Sequence, residues 1–93
     1  MRYLVESYLP AQGDGELERL ATRSRAAVAE LAGEGASLRY IEAILMPEDE
    51  MCLLVFEADS PQLALEASAR AGIAGGRVLE ATGDLDSSHG GTT

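Results

Sequence analysis

The spacing of hydrophobic and polar positions changes along this 93-residue chain, and each spacing predicts a different element. Residues 2–9 are rich in β-branched and aromatic side chains, which is typical of a strand. Across residues 16–32 the apolar positions recur at helical spacing: Leu17, Leu20, Ala21, Ala27, Val28 and Leu31. We expect Asp14 to cap this helix at its start. Gly33 or Gly35 is expected to end it.

The rest of the chain predicts two strands, a second helix and a last short strand, over residues 37–46, 51–58, 61–71 and 77–82. Residues 47–50 form the turn between the second and third strands. Ser60 is the expected N-cap of the second helix, with Pro61 in its first position and Gly72 after its end. Residues 83–93 are rich in Gly, Ser, Thr and Asp, which predicts a disordered tail.

This order of elements is βαββαβ, and residues 1–82 are predicted to form one domain. In so short a chain it indicates an α+β ferredoxin-like sandwich. Such a sandwich has one four-stranded antiparallel sheet with two helices on one face.

The turn at 47–50 sets the register of the second and third strands. It places Met46 opposite Met51, and Ile41 opposite Phe56 on the side that the helices cover. The other side of the sheet is the open face. Its predicted aliphatic residues are Leu4, Ile44, Leu53, Val55 and Val78, and its predicted polar residues are Glu6, Tyr8, Tyr40, Glu42, Glu57 and Glu80.

A monomer seldom exposes so many aliphatic side chains in one patch. We therefore expect a homodimer, a dimeric α/β barrel in which two open faces meet. The predicted dimer interface consists of Leu4, Ile44, Leu53, Val55 and Val78. The cleft between the faces would hold a small-molecule ligand. Its predicted ligand-binding residues are Glu6, Tyr8, Tyr40, Glu42 and Glu57.

The polar residues of this cleft allow more than one interpretation. Glu6, Glu42 and Glu57 could bind a cation or supply a general base. Alternatively, they could be solvated or paired with Arg2, Arg39 or Arg77. Tyr8 and Tyr40 could donate to a ligand or simply lie at the interface. The chain is accordingly expected to bind a small molecule, or weakly a metal. The alternatives are a cofactor-free oxygenase, isomerase or cyclase, and a plain interaction module.

Charge and composition exclude several partners. Sixteen acidic against seven basic residues give a formal net charge of −9, which excludes a broad nucleic-acid footprint and disfavours anionic membranes. No apolar run approaches the length of a membrane span. Cys52 is the single cysteine, His89 is the single histidine, and no signal-peptide pattern is present. These features predict a cytoplasmic protein without an internal disulfide or a His-pair metal site.

Four segments resemble the nickel-binding ferredoxin-like family of small bacterial proteins. Two of them are the start of the first strand, Arg2-Tyr3-Leu4-Val5-Glu6, and the run from Glu50 to Ala58. The other two are the start of the second helix, Ser60-Pro61, and its end, Arg70-Ala71-Gly72. The resemblance covers about residues 2–82 and implies the same dimeric ferredoxin-like barrel. Most members of this family have no known role.

The nickel chemistry of that family does not transfer to these residues. The resemblance implies an acidic residue and a histidine on the first strand, with a second histidine late in the second helix. The matching positions here hold Val5, Ser7 and Ser68, and nickel prefers imidazole among protein ligands. We therefore predict neither a tight nickel site nor a cofactor.

Overall fold

The computed structural model describes residues 1–82, and the predicted tail 83–93, with His89, lies outside the described residues. The elements are β1 (Arg2–Tyr8), α1 (Glu16–Gly33), β2 (Leu38–Met46), β3 (Met51–Ala58), α2 (Pro61–Arg70) and β4 (Arg77–Ala81). A short 3₁₀ turn, Pro47–Asp49, joins β2 to β3.

The four strands form one antiparallel sheet in the order β2-β3-β1-β4. Both helices pack on the same face of this sheet. Their buried side chains, including Leu20, Leu31 and Ala67, join the strand residues Val5 and Phe56 in one hydrophobic core. This arrangement confirms the predicted α+β ferredoxin-like sandwich.

The ends of α1 differ in part from the prediction. The N-cap is Gly15, in the left-handed conformation at φ 80°, so the prediction of Asp14 is wrong. At the other end Gly35 adopts φ 96°. The Ala36 N–H then donates to the Leu31 carbonyl at 3.0 Å, which closes the helix as a glycine after its C-terminus usually does.

The start of α2 agrees with its prediction. The Ser60 hydroxyl accepts a hydrogen bond from the Leu63 N–H at 3.2 Å, and Pro61 occupies the first turn. This bond satisfies one of the N–H groups that a helix leaves without an internal partner.

The predicted β2–β3 register holds from Met46↔Met51 to Glu42↔Val55 and then changes. A β-bulge at Ile41 inserts one extra residue, so that Tyr40, and not Ile41, lies opposite Phe56. Arg39, and not Tyr40, is then paired with Glu57. The predicted placement of Tyr40 on the open face is therefore wrong, because one inserted residue reverses the alternation of every side chain beyond it.

The prediction that Val78 and Glu80 of β4 lie on the open face is also wrong. Val78 lies opposite the buried Val5 and packs against the core, and Glu80 lies opposite Tyr3. Leu79 lies opposite Leu4 on the open face and is 38% exposed. A strand of five residues carries too weak an alternation to fix its own register.

Candidate functional site

The open face of the sheet carries a continuous set of apolar side chains. Alternation along the paired strands places there Leu4 from β1, Ile44 and Met46 from β2, Met51, Leu53 and Val55 from β3, and Leu79 from β4. Ile44 is 36% exposed and lies at one edge of the face. Four predicted interface residues, Leu4, Ile44, Leu53 and Val55, are thus on this face, and their role as an interface stays a prediction.

Two ion pairs join charged side chains of the open face. Arg77 lies 3.2 Å from the Glu6 carboxylate, across β4 and β1. Arg39 lies 2.6 Å from the Glu57 carboxylate, across β2 and β3. The strand positions of this face hold three arginines and three glutamates, namely Arg2, Arg39, Arg77, Glu6, Glu42 and Glu57.

The three predicted site glutamates do not converge. Glu6 lies on β1 opposite Leu53, whereas Glu42 lies on β2 opposite Val55. Because β3 runs between their strands, their backbones are about 10 Å apart. Within residues 1–82, no group of three or more His, Cys, Asp or Glu side chains is arranged to hold a metal ion.

Glu57 has the electrostatics of an ion-pair partner. The hydrogen bond from Arg39 lowers the pKa of its carboxyl group. A general base working near neutral pH needs the opposite shift. The pairing of Glu6 with Arg77 and of Glu57 with Arg39 matches the structural interpretation of these glutamates.

Tyr8 lies at the end of β1 where the β2–β3 turn approaches. Its hydroxyl donates to the Glu50 carboxylate at 3.0 Å, and the ring is 62% exposed. This hydrogen bond raises the pKa of Tyr8. The residue is therefore on the open face, as predicted, with its hydroxyl directed to Glu50.

Tyr40 lies on the helix side of the sheet, in a groove between α1 and β2. Its ring meets Phe56 edge-on, with centroids 6.3 Å apart. The Arg25 guanidinium lies over the same ring at 5.3 Å. Burial raises the pKa of Tyr40, so its hydroxyl stays protonated at neutral pH.

We call this feature the α1–β2 groove. It is open to solvent, has a volume of about 630 Å³ and is lined by Leu17, Glu18, Ala21, Thr22, Arg25, Tyr40, Ile41, Glu42 and Ala43.

The positions that match the metal ligands of the resembled family are buried under the helices. Val5 and Ser7 face inward from β1, and Ser68 is almost fully buried in α2. The Ser68 hydroxyl donates to the Ile73 carbonyl at 2.9 Å. Cys52 is also buried, as predicted from the register, and burial raises the pKa of its thiol.

Sequence reasoning placed several residues of these two surfaces incorrectly or not at all. It offered Arg39 and Arg77 as partners of the glutamates without placing them on the open face, and it put Leu79 on the helix side. No sequence signal marks the bulge at Ile41, which turns Arg39 to the open face. Arg25 was not singled out, because only the reversal of Tyr40 brings an aromatic ring beneath it.

The Arg39–Glu57 pair gives a testable pH dependence. We expect NMR titration to give Glu57 a pKa below the ordinary 4.5. Replacing Arg39 with glutamine should return the pKa towards that value. Because the unfolded chain then binds a proton that the folded chain does not, this carboxylate stabilises the fold above about pH 4.5 and loses its effect as pH falls through the folded pKa. A pKa of Glu57 above 4.5 would contradict the pairing with Arg39 and would make Glu57 a candidate general base again.

Comparison with known proteins supports the fold. The crystal structure of SCO4226 from Streptomyces coelicolor A3(2) superposes with a TM-score of 0.68 at 15% sequence identity. The alignment covers 87% of this chain and 95% of that protein. No family model matches the sequence, and no curated protein does. At this identity the likeness shows a shared ferredoxin-like fold, and the family resemblance stays a prediction.

Within residues 1–82, neither helix combines the length and the apolar character needed to cross a bilayer.

Proposed function

We propose that this chain is a non-catalytic binding protein that works as a homodimer. Two open faces meet in a dimeric α/β barrel and hold an apolar small molecule between them. The observation that carries this proposal is the set of apolar side chains that crosses the open face from Ile44 on β2 to Leu79 on β4. Two of the three glutamates of this face, Glu6 and Glu57, are already paired with arginines within the protomer. The dimeric barrel implied by the family resemblance and a cytoplasmic location are parts of the same proposal.

The charge distribution favours a second copy of the chain as the partner. A face that pairs with itself brings like charges together unless it is neutral. The three arginines and three glutamates of the open face balance, so the formal net charge of −9 is carried by the rest of the chain. The open face is thus the surface on which two copies repel each other least.

The dimensions of the face also suit a dimer. Four strands of five to nine residues, about seven on average, make a face of about 19 by 24 Å. Two such faces offer about 900 Å² in projection, which is of the order of the about 1,200 Å² where stable interfaces begin.

The lining of the interface determines the class of ligand. Because Glu6 and Glu57 are engaged by arginines, the centre of the face presents aliphatic and thioether side chains. Such a lining favours an apolar metabolite. The lowered pKa of Glu57 is the reason that we prefer binding to catalysis.

The proposed dimer is tested by placing a single charge on an exposed leucine, either Leu79 on the open face or Leu17 on α1. Leu79→Glu adds two unpaired carboxylates to an isologous interface, one from each copy. We expect it to raise the dimer dissociation constant by about 100-fold or more in sedimentation velocity. Leu17→Glu is the matched control, because Leu17 is 45% exposed and lies on α1.

A monomeric wild type, or a Leu79→Glu protein that dimerises as tightly as Leu17→Glu, would contradict the proposed interface. Native mass spectrometry of untagged protein tests the ligand separately. A dimer carrying an organic adduct is expected, and a bare dimer would contradict the binding role while leaving the interface in place.

A further inference from the structure

The α1–β2 groove contains an arginine without a carboxylate partner. Elsewhere in the described chain, five arginines each pair with a glutamate: Arg19, Arg23, Arg39, Arg70 and Arg77. Arg25 is engaged by the Tyr40 ring, and within residues 1–82 no carboxylate lies in salt-bridge contact with it. In a chain with 16 acidic residues, an arginine that contacts a ring and no carboxylate keeps its hydrogen-bond donors available for an anion.

The groove holds Arg25 in place without neutralising it. The cation–π contact with Tyr40 at 5.3 Å orients the guanidinium group over the ring. Tyr40 is itself fixed by its edge-on contact with Phe56, which is fully buried. An anion meeting Arg25 would therefore find a preoriented planar donor, which suits a carboxylate.

The other lining residues define the rest of the ligand. Leu17, Ala21, Ile41 and Ala43 form an apolar wall, and Leu17 is 45% exposed, with apolar surface available for contact. Glu18 and Glu42 are exposed residues of the same lining. With Arg25 they give the lining a net charge of −1, which weakens the binding of every anion and most of all that of a phosphate or a dicarboxylate. Among anions a monoanion is therefore favoured.

We infer that the α1–β2 groove is a binding site for small monocarboxylates with an apolar body, in which Arg25 pairs with the carboxylate and the apolar wall contacts the body. A groove of about 630 Å³ is within the range of small-molecule sites. The β-bulge at Ile41 makes the site, because it turns Tyr40 beneath Arg25. The inference is independent of the proposed dimer, since none of these wall residues belongs to the apolar patch of the open face.

The test compares hexanoate with hexanamide, which has the same body and no charge. We expect saturable amide shifts in NMR spectra at Leu17, Ala21 and Ile41 on titration with hexanoate. Affinity for hexanamide and for inorganic phosphate should be lower by about fivefold or more, the size of one exposed charge pair. Arg25→Gln should weaken hexanoate binding by a similar factor and lower the melting temperature by no more than about 5 °C, through loss of the contact with Tyr40.

The matched control is Arg19→Gln, which removes the same charge from the same helix outside the groove. It should leave hexanoate affinity within about twofold of wild type. Three results would overturn the inference: equal affinity for hexanoate and hexanamide, equal losses in Arg25→Gln and Arg19→Gln, or shifts at Leu53 and Val55 in place of the groove. The last result would support ligand binding at the open face instead.

Discussion

Replacing Phe56 with alanine is expected to lower the free energy of unfolding by about 4 kcal/mol. Phe56 is the single phenylalanine of the chain and is fully buried on β3, one of the two central strands. Its removal leaves a cavity and also takes away the edge-on partner of Tyr40. A small domain has only about 5–15 kcal/mol of stability in total, so this variant should be close to unfolding at 37 °C.

Urea denaturation at one fixed protomer concentration measures this loss, because the proposed dimer would make stability depend on concentration. Phe56→Leu is the matched control and should cost about 1.5 kcal/mol or less, since it conserves most of the volume. Equal losses for the two variants would show that the core does not pack against this ring.

The second large effect is expected at Gly76, just before β4. A Cβ atom there would lie 2.7 Å from Val5 Cγ1 and 3.2 Å from the Glu6 carbonyl oxygen. Val5 is fully buried and β-branched, so it cannot rotate away cheaply. We expect Gly76→Ala to lower the free energy of unfolding by about 2 kcal/mol through overpacking.

Gly33→Ala is the control for this prediction. A Cβ at Gly33 meets nothing within 4 Å, and the residue is in the last turn of α1. Alanine there should stabilise the protein by about 0.5 kcal/mol, because it reduces the entropy of the unfolded chain. The cost of Gly76→Ala should also fall in a Val5→Ala background. A cost that is independent of Val5 would locate the strain elsewhere.

The sequence was sufficient to predict the fold and one half of the sheet register. Periodicity located both helices and all four strands, and the 47–50 turn correctly paired Met46 with Met51. These features depend on local sequence and on a strong two-residue alternation. Four of the aliphatic residues predicted for the open face therefore lie there: Leu4, Ile44, Leu53 and Val55.

The errors fall where tertiary pairing overrides local pattern. The bulge at Ile41 shifts the pairing of β2 with β3, and no residue in that segment requires it. The side assignment of β4 is fixed by its partner β1, through the Glu6–Arg77 ion pair and the Val5–Val78 contact in the core. Both errors changed the candidate site more than the fold. The first of them moved Tyr40 from the predicted cleft into the α1–β2 groove.

The central claim is that two copies of the chain meet through their open faces. An isotope-filtered NOE experiment on an equal mixture of labelled and unlabelled protein tests it most directly, because every observed contact joins two different molecules. We predict intermolecular contacts at the methyl groups of Leu4, Ile44, Leu53 and Leu79. Spectra without intermolecular contacts, or with contacts confined to α1 residues such as Leu17, would contradict it.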